Sequence, residues 1–123
     1  MATNACIIGW GHTPFGKLDA VESEALIRSA VEPALQTAGL AAADIDGIFV
    51  GHFNSGFLPQ DFSASLVGLA LPELRHVPAV RMENACATGS AAIWAALDAV
   101  QCGRVRHALV VGFEIMNAVP GPR

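Results

Sequence analysis

A chain of 123 residues with a hydrophobic fraction of 53% and a mean hydropathy of +0.46 has room for one folding unit with a genuine core. It also carries more apolar surface than a small globule needs. The net charge of −4, with acids and bases scattered and no basic run, excludes a nucleic-acid partner, which needs a positive surface for the phosphate backbone.

No window approaches the roughly 18 uninterrupted apolar residues of a membrane span. The opening MATNACIIGW has neither the basic start nor the cleavage pattern of a secretory signal, so a cytoplasmic location is expected. Cys6, Cys86 and Cys102 are odd in number and too widely spaced for C-x-x-C chelation. That predicts reduced thiols, no disulfide framework and no metal site.

Residues 4–9, NACIIG, form a compact apolar run closed by glycine and read as a buried strand, and the turn-rich GWGHTPFG behind it as a loop. Its glycines do not complete G-x-G-x-x-G, because Pro14 stands at the third position, so no nucleotide site is expected there. Glu22 to Ala38 has helical apolar spacing with Gly39 as the stop. Pro33 should kink or divide that helix, since it removes a backbone donor. IFVG, residues 48–51, reads as a second strand, Asp61 to Leu71 as a second helix before Pro72, and Val77 to Met82 as a third strand. Cys86 to Cys102 reads as a third helix ended by Gly103, and HALVVGFE, residues 107–114, as a fourth strand. This alternation of strands and helices predicts an α/β layer with parallel strands.

The third helix is apolar nearly all round, with only Asp98 and Gln101 clearly polar. It is expected to be buried on nearly every side and so to need a second covering layer. Cys86 sits at its predicted N-terminus, where unpaired N–H groups and the positive end of the helix dipole favour a thiolate. A strand-to-helix corner presents its side chain outward, and Gly89 allows close backbone approach at the first turn. A small buried structural cysteine is the competing reading from the residues alone. Asn84 suits an Asx turn that holds the corner. His12, His52, His76 and His107 read as solvated or loop-capping histidines, and Trp10, Trp94 and the phenylalanines as core or interface.

The run ENACATGSAA, the alanine-rich segment after it and HALVVGFE together resemble the nucleophile region of thiolases, the acetyl-CoA acetyltransferase family. The similarity is greatest to the branch with the sterol-carrier-protein-type and related archaeal and bacterial enzymes. ACIIGWGHTPFGKL and DIDGIFVG resemble the opening of that branch, so the likeness runs from about residue 5 to residue 117.

The resemblance implies a layered α/β/α thiolase-like fold of which this chain is the first half: an N-terminal half-domain over residues 1–117, with an irregular tail at 118–123. It implies that Cys86 takes an acyl group from a coenzyme A thioester, with its backbone N–H serving the oxyanion and with Asn84, Gly89 and Ser90 supporting the turn. Coenzyme A thioester is then a substrate, and no tightly bound cofactor is implied. The acyl group passes on by condensation or thiolysis.

Thiolases take a catalytic histidine and a second acid/base from a second half. No segment here matches either, so a homo-oligomer or a C-terminal half on another chain is the implied partner. A non-catalytic thiolase-like subunit and a ketosynthase-like condensing domain are the alternatives.

Overall fold

The computed structural model describes residues 4–18, 22–54, 58–59 and 61–116. Six regular elements follow one another: α1 (Ser23–Ala38), β1 (Gly47–Gly51), α2 (Leu66–Ala70), β2 (Ala79–Met82), α3 (Thr88–Gln101) and β3 (Ala108–Gly112). Single 3-10 turns at Ala42–Asp44, Ser63–Ser65, Pro72–Leu74 and Ala85–Ala87 connect them.

The three strands form one parallel sheet in the order β2-β1-β3. Ile48 pairs with Ala79 on one side and with Leu109 on the other. Alternation along the strands then sorts side chains between two faces. Ile48, Val50, Leu109 and Val111 pack with Ile27 and Val31 of α1 and with Leu66, Val67 and Ala70 of α2. Phe49 turns to the opposite face and meets Ala92, Ala96 and Ala99 of α3. Helices on both faces of a parallel sheet give the expected α/β/α layering.

The buried positions of α1, Ile27 and Val31, lie four residues apart, the spacing of one helical face. Each contributes about 1.5–3 kcal/mol by leaving water. Arg28 donates to the carbonyl of Ala70 and ties α1 to α2. Pro33 lies inside α1 but does not divide it, and the helix runs on to Ala38. The second predicted helix is shorter than 61–71: a 3-10 turn, five α-helical residues and another 3-10 turn that begins at Pro72.

Residues 4–9 are not a strand, contrary to the expectation from their apolar run. This segment lies on α1 instead of joining the sheet. A Cβ on Gly9 would stand 2.4 Å from the carbonyl oxygen of Ala34, a closeness that only glycine permits. Trp10 donates its N–H to Thr37 Oγ1 at 3.0 Å. An apolar cleft of about 620 Å³ separates residues 5–11 from β3, so the backbone bonds that define a strand are not made.

The all-round burial expected of the third helix is also corrected. Thr88, Ala92, Ala96 and Ala99 are buried against the sheet, while Ile93 and Trp94 on the other side are 51% and 63% exposed. The predicted tail 118–123 lies outside the described residues. No described helix is long and apolar enough to cross a membrane.

Candidate active site at the nucleophile turn

Because the strands are parallel, Gly51, Met82 and Gly112 end them at one edge of the sheet, where α/β folds bind ligands. Cys86 belongs to the turn that leaves β2 at this edge. It lies in the 3-10 turn Ala85–Ala87, directly before α3. The side chain is exposed, which removes the reading of Cys86 as a buried structural thiol.

The backbone ahead of Cys86 is unusual. Ala85 adopts φ +44°, a left-handed conformation that costs a non-glycine residue of order 1 kcal/mol. Three hydrogen bonds surround it. The Ala85 N–H donates to Glu83 Oε1 at 2.6 Å. Thr88 Oγ1 accepts the Asn84 N–H at 2.8 Å and donates to the Ala85 carbonyl at 2.7 Å.

Asn84 therefore enters the turn through its backbone, and its side chain makes no cap bond. Gly89 and Ser90 lie exposed in the first turn of α3. A Cβ on Gly89 would meet nothing within 4 Å, so the close approach is made by another residue. That residue is Gly51, whose added Cβ would be 3.2 Å from the Thr88 carbonyl oxygen and 3.5 Å from Gly89 Cα. The end of β1 thus forms a floor under the start of α3.

A second network holds the segment after β1. Arg81 on β2 donates to the carbonyls of His52 and Phe53 at 2.8 and 2.9 Å and pairs with Asp61 at 3.1 Å. From the other side Glu114, just past β3, accepts the N–H of Phe53 and, at 3.3 Å, that of Asn54. His52 is fully buried, stacks on Phe113 at 4.2 Å and has Nε2 3.7 Å from Glu114 Oε2. This corrects the reading of His52 as a solvated loop histidine: the imidazole fills space between strand ends. Burial lowers its pKa, and the nearby Glu114 carboxylate opposes that shift without overcoming it. His12 is exposed and stacked beside Trp10, and His107 Nδ1 lies 3.0 Å from the Asp44 carbonyl oxygen.

Sequence reading missed Glu83, Thr88, Arg81 and Glu114. In the sequence Thr88 is only the spacer between Cys86 and Gly89; its signal is a hydroxyl four residues after Asn84, spaced to reach back across one turn. Arg81 and Glu114 act across strands and leave no local signal.

The sequence pattern of the family described as "Thiolase, N-terminal domain" matches residues 5–122. The chain belongs to the thiolase N-terminal domain family. It is 38% identical over 117 residues to an acetyl-CoA acetyltransferase of Methanocaldococcus jannaschii, covering 94% of this chain and 30% of that protein. It is 33% identical to a hydroxymethylglutaryl-CoA synthase of Pyrobaculum aerophilum, covering 91% of this chain and 35% of the relative. This thiolase-family chain thus spans about a third of the length of the curated relatives it matches. In fold it is similar to an acetyl-CoA acetyltransferase from Syntrophomonas wolfei, with a TM-score of 0.70 and 21% identity over 85% of this chain and 27% of that one. The α/β thiolase-like fold expected from the sequence is therefore present.

Proposed function

We propose that Cys86 is the acylated nucleophile of a thiolase-type acyltransferase acting on coenzyme A thioesters. The observation that carries this reading is the position of Cys86, exposed in the turn between a parallel strand and α3, in a chain of the thiolase N-terminal domain family.

The Cys86 thiolate attacks the thioester carbon, and the carbonyl electron pair moves to oxygen. The tetrahedral oxyanion collapses, the bond to the coenzyme A sulfur breaks, and coenzyme A leaves as a thiolate that takes up a proton. The Cys86 N–H is the donor we assign to that oxyanion. The acyl group then passes to the α-carbanion of a second thioester in condensation, or to the thiol of coenzyme A in thiolysis.

Carbanion formation needs a base. Among the described residues no hydrogen bond or ion pair joins Cys86 to a histidine or an acid. Residues 1–117 accordingly act as one thiolase-like half-domain, and a C-terminal half or a second copy supplies the base. The exposed apolar side of α3 is the surface that supports such a partner.

The test is intact-protein mass after incubation with acetyl-coenzyme A, for the native chain and for Cys86→Ser. An acetyl adduct on the native chain that is lost in Cys86→Ser is the expected result. An adduct that survives in Cys86→Ser, or none on the native chain with or without a thiolase C-terminal half, overturns the reading.

A further inference from the structure

We propose that Thr88, with Glu83, is a positioning residue of the nucleophile turn: the two side chains hold Ala85 in its left-handed conformation and so set where Cys86 is presented. The inference rests on the reading of Cys86 as the acylated residue. It concerns different side chains and has a readout of its own.

Alanine gains nothing by itself from φ +44°; an isolated chain would leave that region for the helical or extended one. Something must hold it there, and the bonds on the two peptide groups flanking Ala85 do so. The N–H is held by the Glu83 carboxylate at 2.6 Å, a charge-assisted bond and so of the stronger kind. The carbonyl is held by the Thr88 hydroxyl at 2.7 Å. The same hydroxyl oxygen accepts the Asn84 N–H at 2.8 Å, so one side chain uses both its donor and its acceptor on consecutive residues.

Thr88 is itself fixed. It is 7% exposed, and its methyl lies over Gly51, where an added Cβ would stand 3.3 Å from Cγ2. The turn is therefore pinned to the sheet through Thr88, and the strain at Ala85 sits one residue before the nucleophile. Strained backbone at such a position persists only where its surroundings over-determine it.

Thr88→Val keeps the methyl, puts a second methyl in place of the hydroxyl and so removes both hydroxyl bonds, Thr88→Ser keeps the hydroxyl, and Glu83→Ala tests the second support at an exposed site. For each, NMR chemical shifts and the amide-to-Hα coupling of Ala85 report its φ, and acetylation by acetyl-coenzyme A is followed alongside thermal unfolding. Thr88→Val is expected to move Ala85 out of the left-handed region. It should also slow Cys86 acetylation at least about tenfold, as small misplacements of reacting groups do, with unfolding still cooperative. Thr88→Ser should restore both. Should Thr88→Val not fold, Glu83→Ala gives the same two readouts and is expected to weaken both. A left-handed Ala85 that persists in Thr88→Val, or in Glu83→Ala if Thr88→Val does not fold, overturns the proposal. Loss of the Ala85 signature in a protein whose native form never acetylates sinks the acyl-transfer reading and leaves the positioning role standing.

Discussion

Arg81 reaches from β2 to the segment that leaves β1 and donates from Nε to the carbonyl oxygen of His52 at 2.8 Å. Its Nη2 serves the next carbonyl, Phe53, at 2.9 Å, so the planar guanidinium spans two consecutive peptide groups. Lysine has a single ammonium and cannot reproduce that fork. Arg81→Lys is expected to lower stability by about 1–2 kcal/mol, and Arg81→Met by more, because charged-donor bonds to partly buried carbonyls are lost. Urea unfolding measures both. A substitution by lysine that shifts the midpoint by nothing resolvable would show that the fork adds no stability.

His52 makes the fold sensitive to pH. Its imidazole is buried, stacked on Phe113 and 3.7 Å from the Glu114 carboxylate, with the charges of Arg81 and Asp61 also acting on it. Burial lowers its pKa below the ordinary 6.5; Glu114 and Asp61 pull it up and Arg81 pushes it down. In the window between the lowered folded value and 6.5 the unfolded chain binds more protons than the folded one, so stability rises with pH there. The contribution of the neutral ring is complete above about pH 7.5 and declines as pH falls through 6.5. His52→Phe, which keeps a ring against Phe113, is expected to flatten that slope. Unfolding midpoints at pH 8 and pH 5.5 decide it, and equal pH slopes in the two proteins would refute the assignment.

The sheet was legible because each of its strands carries a short apolar run closed by glycine or a turn: β2 and β3 fall inside the predicted segments, and β1 begins one residue earlier than predicted, at Gly47. The misreading of residues 4–9 has a physical cause. Cys6, Ile7 and Ile8 have the composition of a buried strand, yet Ile7 is 84% exposed. The sequence pattern reports that the segment wants cover, and does not report what supplies it. The place of Cys86 between a strand and a helix was legible for the same reason as the strands, since it sits where one periodicity gives way to another. Thr88 holds the turn of Cys86 through bonds three and four residues back, a spacing the sequence shows without marking it out. The bonds of Arg81 to His52 and Phe53, by contrast, join strand ends that only the folded sheet brings together. His52 was misread because a histidine in a glycine-rich stretch has the composition of a loop, while its position just beyond Gly51 places it under the adjoining strand ends.

Gly9 holds the N-terminal segment against α1 by having no side chain. An added Cβ would stand 2.4 Å from the Ala34 carbonyl oxygen and 2.6 Å from Ala38 Cβ, and neither neighbour is the end of a flexible chain. Gly9→Ala is expected to lift residues 5–11 off the helix and to break the bond between the Trp10 N–H and Thr37. The cost should be about 1–3 kcal/mol, the usual penalty for overpacking. Faster hydrogen exchange at the Trp10 amide is the local sign. Unchanged protection there would mean the segment is held by other contacts.

Ile93 and Trp94 test whether the outer side of α3 belongs to this chain's own core. They are 51% and 63% exposed, whereas Ala92 and Ala96 on the same helix are fully or nearly fully buried. Small residues bring α3 close to the sheet, while Trp94 is exposed and Ile93 borders the open cleft beside β3, so truncating either removes little packing within the chain. Ile93→Glu and Trp94→Glu are each expected to change unfolding free energy by less than about 0.5 kcal/mol, as surface substitutions do. Ala92→Leu, which must force a longer side chain between α3 and Phe49, is expected to cost about 1–3 kcal/mol. The two glutamate variants should also reduce self-association and dye binding, because an exposed apolar patch is what drives both. Losses of 2 kcal/mol or more from the glutamate variants would instead place Ile93 and Trp94 among the contacts that hold this half together, and the outer side of α3 would then be no surface for a partner.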